Sequence, residues 1–248
     1  IPHPAVNHIE PGDELIDKLD LLIEKPMTMS SNESLLLVNK ANENNKILMV
    51  GHQLHFHPAI MSIKEHLKRD VIGEIKWIYS NRLNMGKIRS EENVLWSFAP
   101  HDISLILDIV GSDVKDINIQ GSKILNANVE DATLTTLSFK NGVKGHIFVS
   151  WFHPFKEQRF VIVGEKGTFV FTDSSENNKL VLYETKVDFD EMQIEKHDFN
   201  NIQYDESEPL KNQAIQFISS INTRKCDINS GEHGKKVVEV LEASTKLL

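Results

Sequence analysis

Several groups of residues in this chain carry side chains that could move a proton. Glu24-Lys25-Pro26 directly follows the apolar run Leu21-Leu22-Ile23. A lysine leaving a buried strand stands where open α/β sheets bind ligands. Burial beside a second positive charge lowers the pKa of an ammonium, which makes the amine a usable proton acceptor near neutrality. The other reading is a surface-loop lysine, with Pro26 merely turning the chain. His101 follows Pro100, a favourable residue in the first turn of a helix. The helix dipole disfavours an imidazolium there and leaves a neutral ring that accepts or donates a hydrogen bond. A capping or core histidine would suit the position equally well, and helix-start electrostatics alone account for Asp102.

The stretch Gly51-His52-Gln53-Leu54-His55-Phe56-His57-Pro58 alternates histidines with period two. That spacing suits a polar cleft wall after a strand. It also suits a metal hydrolase, which would require bound zinc, but no Cys, Asp or Glu interleaves with the histidines; the expectation is no metal. Asn81 to Arg89 combines cations and amides, with Asn84 and Arg89 placed to meet a phosphorylated or carboxylated substrate, for which Arg offers a two-pronged fork. A solvated loop is the alternative. Trp151-Phe152-His153 could stack on a sugar or base, although a core or interface aromatic is the simpler reading. Cys226 is the only cysteine, so no internal disulfide forms, and it reads as an incidental thiol.

These residues need elements to hold them. Leu21 to Ile23 and Ile47 to Val50 read as short buried strands. Between them Ser30-Ser31-Asn32-Glu33 offers a capping box for a helix whose apolar face is Leu35, Leu36, Val38 and Ala41. Strand, helix, strand with short links predicts parallel pairing. Further helices are expected after Pro58, carrying Ile60, Ile63, His66 and Leu67, and from Pro100 to Gly111. From about residue 114 strands dominate. Asn141-Gly142 marks a hairpin because both residue types tolerate positive φ, and Gly164 to Gly167 marks another. The tail returns to helix, with Ala214, Phe217 and Ile218, then Val237, Val238, Val240 and Leu241, spaced for apolar faces.

Composition bounds the function. The chain has 248 residues, 40% hydrophobic and 25% charged, an ordinary globular balance. A net charge of −9 argues against a basic nucleic-acid surface. No apolar run approaches the roughly 18 residues of a membrane span. Ile1-Pro2-His3-Pro4 has neither the basic start nor the apolar stretch of a signal peptide, and a cytoplasmic location is expected.

Taken in order, the motifs resemble the Gfo/Idh/MocA family of NAD(P)-dependent sugar and cyclitol oxidoreductases. The similarity runs over nearly the full length: Pro2-His3-Pro4 with His8, the signature Glu24-Lys25-Pro26, Val50-Gly51-His52-Gln53, Val71-Ile72-Gly73-Glu74-Ile75, His101-Asp102-Ile103, and a tail from Glu208-Pro209-Leu210 through Val238, Val240, Leu241, Glu242 and Ala243. Glu91 to Asp102 looks most like the branch that oxidises nucleotide-linked sugars, such as UDP-N-acetylglucosamine derivatives at C3. Ser97 departs from the pattern, since many members carry Asp four residues before the histidine.

The resemblance implies an α/β plus α+β protein. Residues 1–52 would be the C-terminal remainder of a dinucleotide-binding Rossmann domain. Residues 53–248 would form a substrate-binding and oligomerisation domain, a large, mostly antiparallel open sheet covered by helices. It implies NAD or NADP as cofactor, with Pro2, Glu24, Lys25, Pro26 and Gln53 at the nicotinamide end. Lys25 and His101 would be catalytic, and Asn84 and Arg89 would join them against a sugar or nucleotide-sugar substrate. A homo-oligomer through the sheet face is implied, with no nucleic-acid or membrane partner. No G-x-G-x-x-G follows a strand in this sequence, so the chain alone is expected to bind a dinucleotide poorly or not at all. The alternative function is a catalytically incomplete domain that binds a sugar nucleotide or assembles with a partner.

Overall fold

The computed structural model describes residues 7–86, 92–125, 128–188 and 193–248. In chain order they form α1 (Ile9–Leu15), β1 (Leu21–Ile23), α2 (Ser31–Glu43), β2 (Leu48–Val50), a 3-10 turn (Gln53–Phe56), α3 (Pro58–Lys68), β3 (Ile75–Met85), α4 (Val94–Phe98) and α5 (Pro100–Val110). There follow β4 (Val114–Ser122), β5 (Ala132–Phe139), β6 (Lys144–Ser150), β7 (Phe152–Gly164), β8 (Gly167–Thr172), β9 (Leu180–Asp188), β10 (Gln193–Asn201), α6 (Pro209–Thr223) and α7 (Gly231–Thr245). The short helices α1 and α4 add to the expected elements. The chain divides into two compact units that are not consecutive segments. The described part of Ile1–His57 folds with Pro100–Leu105 and Ser207–Leu248, and Pro58–Ala99 folds with Ile106–Glu206. No helix among the described residues is long and apolar enough to cross a membrane.

In the first unit β1 and β2 pair in parallel, with Leu21 opposite Leu48 and Ile23 opposite Val50. The helix between them starts as expected: Ser30 caps α2 by accepting from the Glu33 N–H. The Glu33 carboxylate reaches back to the amide of Met29, one residue before the cap. The buried face differs from the expected one. Ser34, Leu37, Val38 and Ala41 point inward, while Leu35 and Leu36 are each 43% exposed. Positions 34, 37, 38 and 41 follow the 3.6-residue repeat, and 35 and 36 fall off that stripe. Leu37, Val38 and Ala41 close a core with Ile16, Leu21, Ile23, Met27, Leu48 and Val50.

The tail helices belong to this unit. All four expected core positions of α7, Val237, Val238, Val240 and Leu241, are buried. The helix packs against α2 and β2 at close range because its first turns are glycines. A Cβ on Gly234 would lie 2.5 Å from Val50 Cγ2, and one on Gly231 would lie 2.6 Å from Leu48 Cδ2. The expected apolar face of α6 is corrected. Ala214 and Ile218 are exposed, Phe217 is partly buried, and the helix turns Gln213 and Ser220 inward. It is anchored by polar contacts, including a hydrogen bond from Asn212 Nδ2 to the Phe56 carbonyl.

The second unit is an eight-stranded sheet in the order β10-β9-β8-β7-β3-β6-β5-β4. Neighbours are antiparallel except β3 and β6, which are parallel. One face is apolar: Phe169 and Phe171 of β8 and Leu137 and Phe139 of β5 are buried, with α3 and α4 packing on the sheet. The register places Tyr183, Thr168, Val163 and Trp77 in one cross-strand row on the other face. Trp77 and Tyr183 are 38% and 40% exposed there.

Two local expectations change. In the β5–β6 hairpin only Gly142 takes positive φ, at +93°. Asn141 instead uses its side-chain oxygen to accept from the Val143 N–H. The Gly142 N–H closes a turn onto Phe139 O, so three residues, not two, make the connection. The strand expected to end at Asn81 runs on to Met85, because Arg82 and Leu83 pair on both edges; Arg82 lies opposite Val149 on one side and Gln158 on the other.

Candidate active site

The in-register parallel pair delivers the ends of β1 and β2 to one place. The Gly51 N–H donates to the Ile23 carbonyl at 2.7 Å, so Glu24 and Lys25 leave one strand beside Gly51 and His52 leaving the other. Glu24 is exposed and its carboxylate covers Gly51, where a Cβ would stand 3.1 Å from Glu24 Oε2. Lys25 is half-buried, and the Lys25–Pro26 peptide is cis. The turn is held from below by His8, whose buried Nδ1 lies 2.9 Å from the Pro26 carbonyl and donates to it. Gln53 follows on the exposed side of the 3-10 turn.

His101 and Ser104 come from α5, one turn apart. His101 is half-buried, and its ring stands edge-on to His52, with centroids 6.0 Å apart. His52 also meets His55 at 6.4 Å and His233, in the first turn of α7, at 6.2 Å. His55 and His233 are 5.6 Å apart, and both reach Ser104 Oγ through Nε2 at 2.8 Å. His52, His55 and Ser104 are buried, and neither ring nitrogen of His52 has a hydrogen-bond partner among the described residues. Burial holds the pKa of His52 well below the ordinary imidazole value, and the neighbouring His233 and Lys25 charges push the same way. His52 is therefore a neutral ring. The site offers an amine, neutral imidazoles and a hydroxyl, which is equipment for holding and moving protons.

The period-two histidines thus line a polar cluster, except His57, which is not part of it as described. Among the described residues no group of three His, Cys, Asp or Glu has the geometry to hold a metal ion. Of the other sequence candidates, Asn84 is half-buried near the end of β3 in the second unit. Pro2 and Arg89 lie outside the described residues. Trp151 is a core residue, 1% exposed, with Nε1–H donating to Asp131 Oδ1 at 2.7 Å. Burial raises the Cys226 thiol to about 11, which leaves it protonated and unreactive. Sequence reasoning missed Ser104 and His233. Ser104 and His233 are 129 positions apart, and the only local sign of His233 was its place three residues after the capping Ser230.

Residues 60–170 match the family described as GFO/IDH/MocA C-terminal domain. Over those residues the chain is similar to the Gfo/Idh/MocA oxidoreductases. One Gfo/Idh/MocA relative is UDP-N-acetylglucosamine 3-dehydrogenase of Acidithiobacillus ferrooxidans, 28% identical over 52% of this chain and 40% of the relative. Another is scyllo-inositol 2-dehydrogenase (NAD(+)) of Bacillus subtilis, 23% identical over 63% of this chain and 50% of the relative. The matched part thus spans half or less of each of these relatives. A solved structure of the Acidithiobacillus enzyme superposes with a TM-score of 0.84 at 20% identity, covering 100% of this chain and 77% of that one. That likeness shows that this chain shares the fold of that enzyme.

Proposed function

We propose that this chain carries the proton-handling site of a cytoplasmic NAD(P)-dependent dehydrogenase that oxidises a hydroxyl of a sugar or nucleotide sugar, or reduces the matching ketone. The observation that carries this reading is the convergence of Lys25 and His101 on the neutral, buried His52 at the carboxyl ends of two parallel strands. Open α/β sheets bind their ligands at such ends. The relatives named above, one acting on a nucleotide sugar and one an NAD(+)-dependent cyclitol dehydrogenase, support the substrate class and the cofactor.

The residues present fit the nicotinamide end of such a cofactor. His52 has two buried nitrogens available to a polar group such as a carboxamide, and Glu24, Lys25, Pro26 and the exposed Gln53 frame the strand ends, with Pro2 preceding them in the chain. A bound nicotinamide supplies the hydride acceptor. As the carbinol hydrogen leaves as hydride, the Lys25 amine takes the hydroxyl proton and becomes an ammonium. His101 holds the hydroxyl oxygen by a hydrogen bond, and Asn84 and Arg89 belong to the substrate side. Trp77, Tyr183 and the 42%-exposed Leu134 lie on the open sheet face, which is the proposed surface for homo-oligomer formation.

NADH binding followed by nicotinamide fluorescence, then nucleotide-sugar turnover, tests the proposal in the wild type beside Lys25→Ala. Turnover that disappears in Lys25→Ala supports it. Undiminished turnover in the variant overturns the role of Lys25. Sugar-nucleotide binding with neither NADH binding nor turnover means that this chain by itself is a binding domain and does not carry the activity alone.

A further inference from the structure

Nδ1 of His8 lies 2.9 Å from the Pro26 carbonyl oxygen and 3.3 Å from that of Met27. Carbonyl oxygens only accept, so Nδ1 carries a proton and shares it between the two. His8, Pro26 and Met27 are all buried. Water cannot stand in for that donor there, and a buried carbonyl that loses its hydrogen bond bears the cost of its desolvation. The contacts span 18 and 19 positions of sequence and join the residue that opens α1 to the turn after β1.

That turn carries Lys25. On its near side the Ile23 carbonyl accepts from the Gly51 N–H at 2.7 Å, which ties the end of β1 to β2. On its far side stand the two carbonyls that His8 holds, and beyond them the Met27 side chain is buried in the core with Ile23, Leu37 and Val50. A lysine amine hangs on a flexible four-carbon stem, so the protein directs it chiefly through the main chain from which the stem departs. The proline ring fixes φ, and holding the Pro26 carbonyl therefore also restrains the Lys25–Pro26 peptide plane.

We propose that His8 is a positioning residue whose Nδ1–H, held between the Pro26 and Met27 carbonyls, sets where the Lys25 amine stands and so governs its proton transfer. This rests on the dehydrogenase reading, in which Lys25 takes the hydroxyl proton. His8 touches neither substrate nor cofactor in this scheme and acts through the main chain. An asparagine places a side-chain N–H donor at the δ position that Nδ1 occupies, whereas a glutamine puts its donor one bond farther out. His8→Asn should therefore keep the hold. His8→Gln should lose it, although it fills more of the volume of the ring.

The first test needs no variant: nitrogen-15 NMR of the histidine side chains in the wild-type chain. A protonated Nδ1 on His8 is expected, and a bare Nδ1 would overturn the hold. The second follows the Lys25 Cε resonance, assigned by its loss in Lys25→Met, through a pH titration. His8→Ala should shift the midpoint of that titration, and His8→Asn should restore it. An unshifted midpoint in His8→Ala overturns the proposal. So does a midpoint that His8→Gln restores as fully as His8→Asn, because volume and not the δ donor would then be what matters. In turnover, His8→Ala should lower kcat by about 10²-fold, the scale that slight misplacement costs, with little change in KM, and His8→Asn should recover most of it. A shifted Lys25 titration with kcat unaltered would overturn the catalytic part of the hold and leave the dehydrogenase reading standing. A wild type that binds NADH and shows the expected NMR behaviour but oxidises no sugar would sink that reading, and the catalytic part with it.

Discussion

The ring of His52 stands edge-on to that of His101, 6.0 Å away at an interplanar angle of 84°. One is a buried neutral imidazole that cannot easily gain a proton. The other is half-buried at a helix start. Keeping His52 neutral keeps a second positive charge away from the place where, in the proposed reaction, Lys25 gains one, and this gives the burial of His52 a chemical consequence.

A pH dependence of stability follows. The pKa of His52 is depressed in the fold, while in the unfolded chain it titrates near 6.5. Below that pH the unfolded chain binds a proton that the folded chain does not, so stability falls as pH falls. The slope from this one group reaches about 1.4 kcal/mol per pH unit and ends only at the folded pKa; above 6.5 the group contributes none. In urea unfolding at a series of pH values, His52→Gln should show a shallower acid loss than the wild type. Equal slopes would refute the assignment.

Lys25 and His101 should separate kinetically. Lys25→Met removes the proposed proton acceptor and should lower kcat by about 10²- to 10⁴-fold with the melting temperature nearly unchanged. His101→Asn keeps a hydrogen-bonding group and should lose less than His101→Ala. Steady-state kinetics of these variants, read as kcat and KM separately, check both statements.

Gly234 should not tolerate a side chain. A Cβ there would sit 2.5 Å from Val50 Cγ2, so Gly234→Ala should destabilise by about 1–3 kcal/mol through overpacking. Adding Val50→Ala should return part of that loss, a coupling that a double-mutant cycle in urea reads directly. Additive losses would mean that the clash is not between these two residues.

Asp131 should be a costly residue to replace. Its buried carboxylate accepts from Trp151 Nε1–H and from the Ile124 and Leu125 N–H groups, each at 2.7 Å. Asp131→Ala leaves these donors without an acceptor and should cost about 3 kcal/mol. A loss below about 1 kcal/mol in chemical unfolding would show that the loop and Trp151 find other partners.

Much of this was readable along the chain because it is local. Ser30 and Glu33 announced α2, Pro100 and Gly111 bracketed α5, and Gly142 marked a hairpin. Glu24-Lys25-Pro26 and His101 stood out through their neighbours. Which face an element buries was less legible. In α2 several adjacent leucines competed, and only packing against β1, β2 and α7 selected Leu37 over Leu35 and Leu36. In α6 the apolar residues face outward, because Gln213 and Ser220 are the residues it buries.

By itself, the sequence determined residue types and local geometry: a lysine after a buried strand, histidines after the next, a histidine in a first helical turn. The tertiary structure alone decided that these meet, and that Ser104 and His233 meet with them. The physical reason is distance along the chain. Parallel pairing of β1 with β2 and the glycine-permitted approach of α7 bring together residues from four separate segments, and no local pattern encodes a contact made across 129 positions.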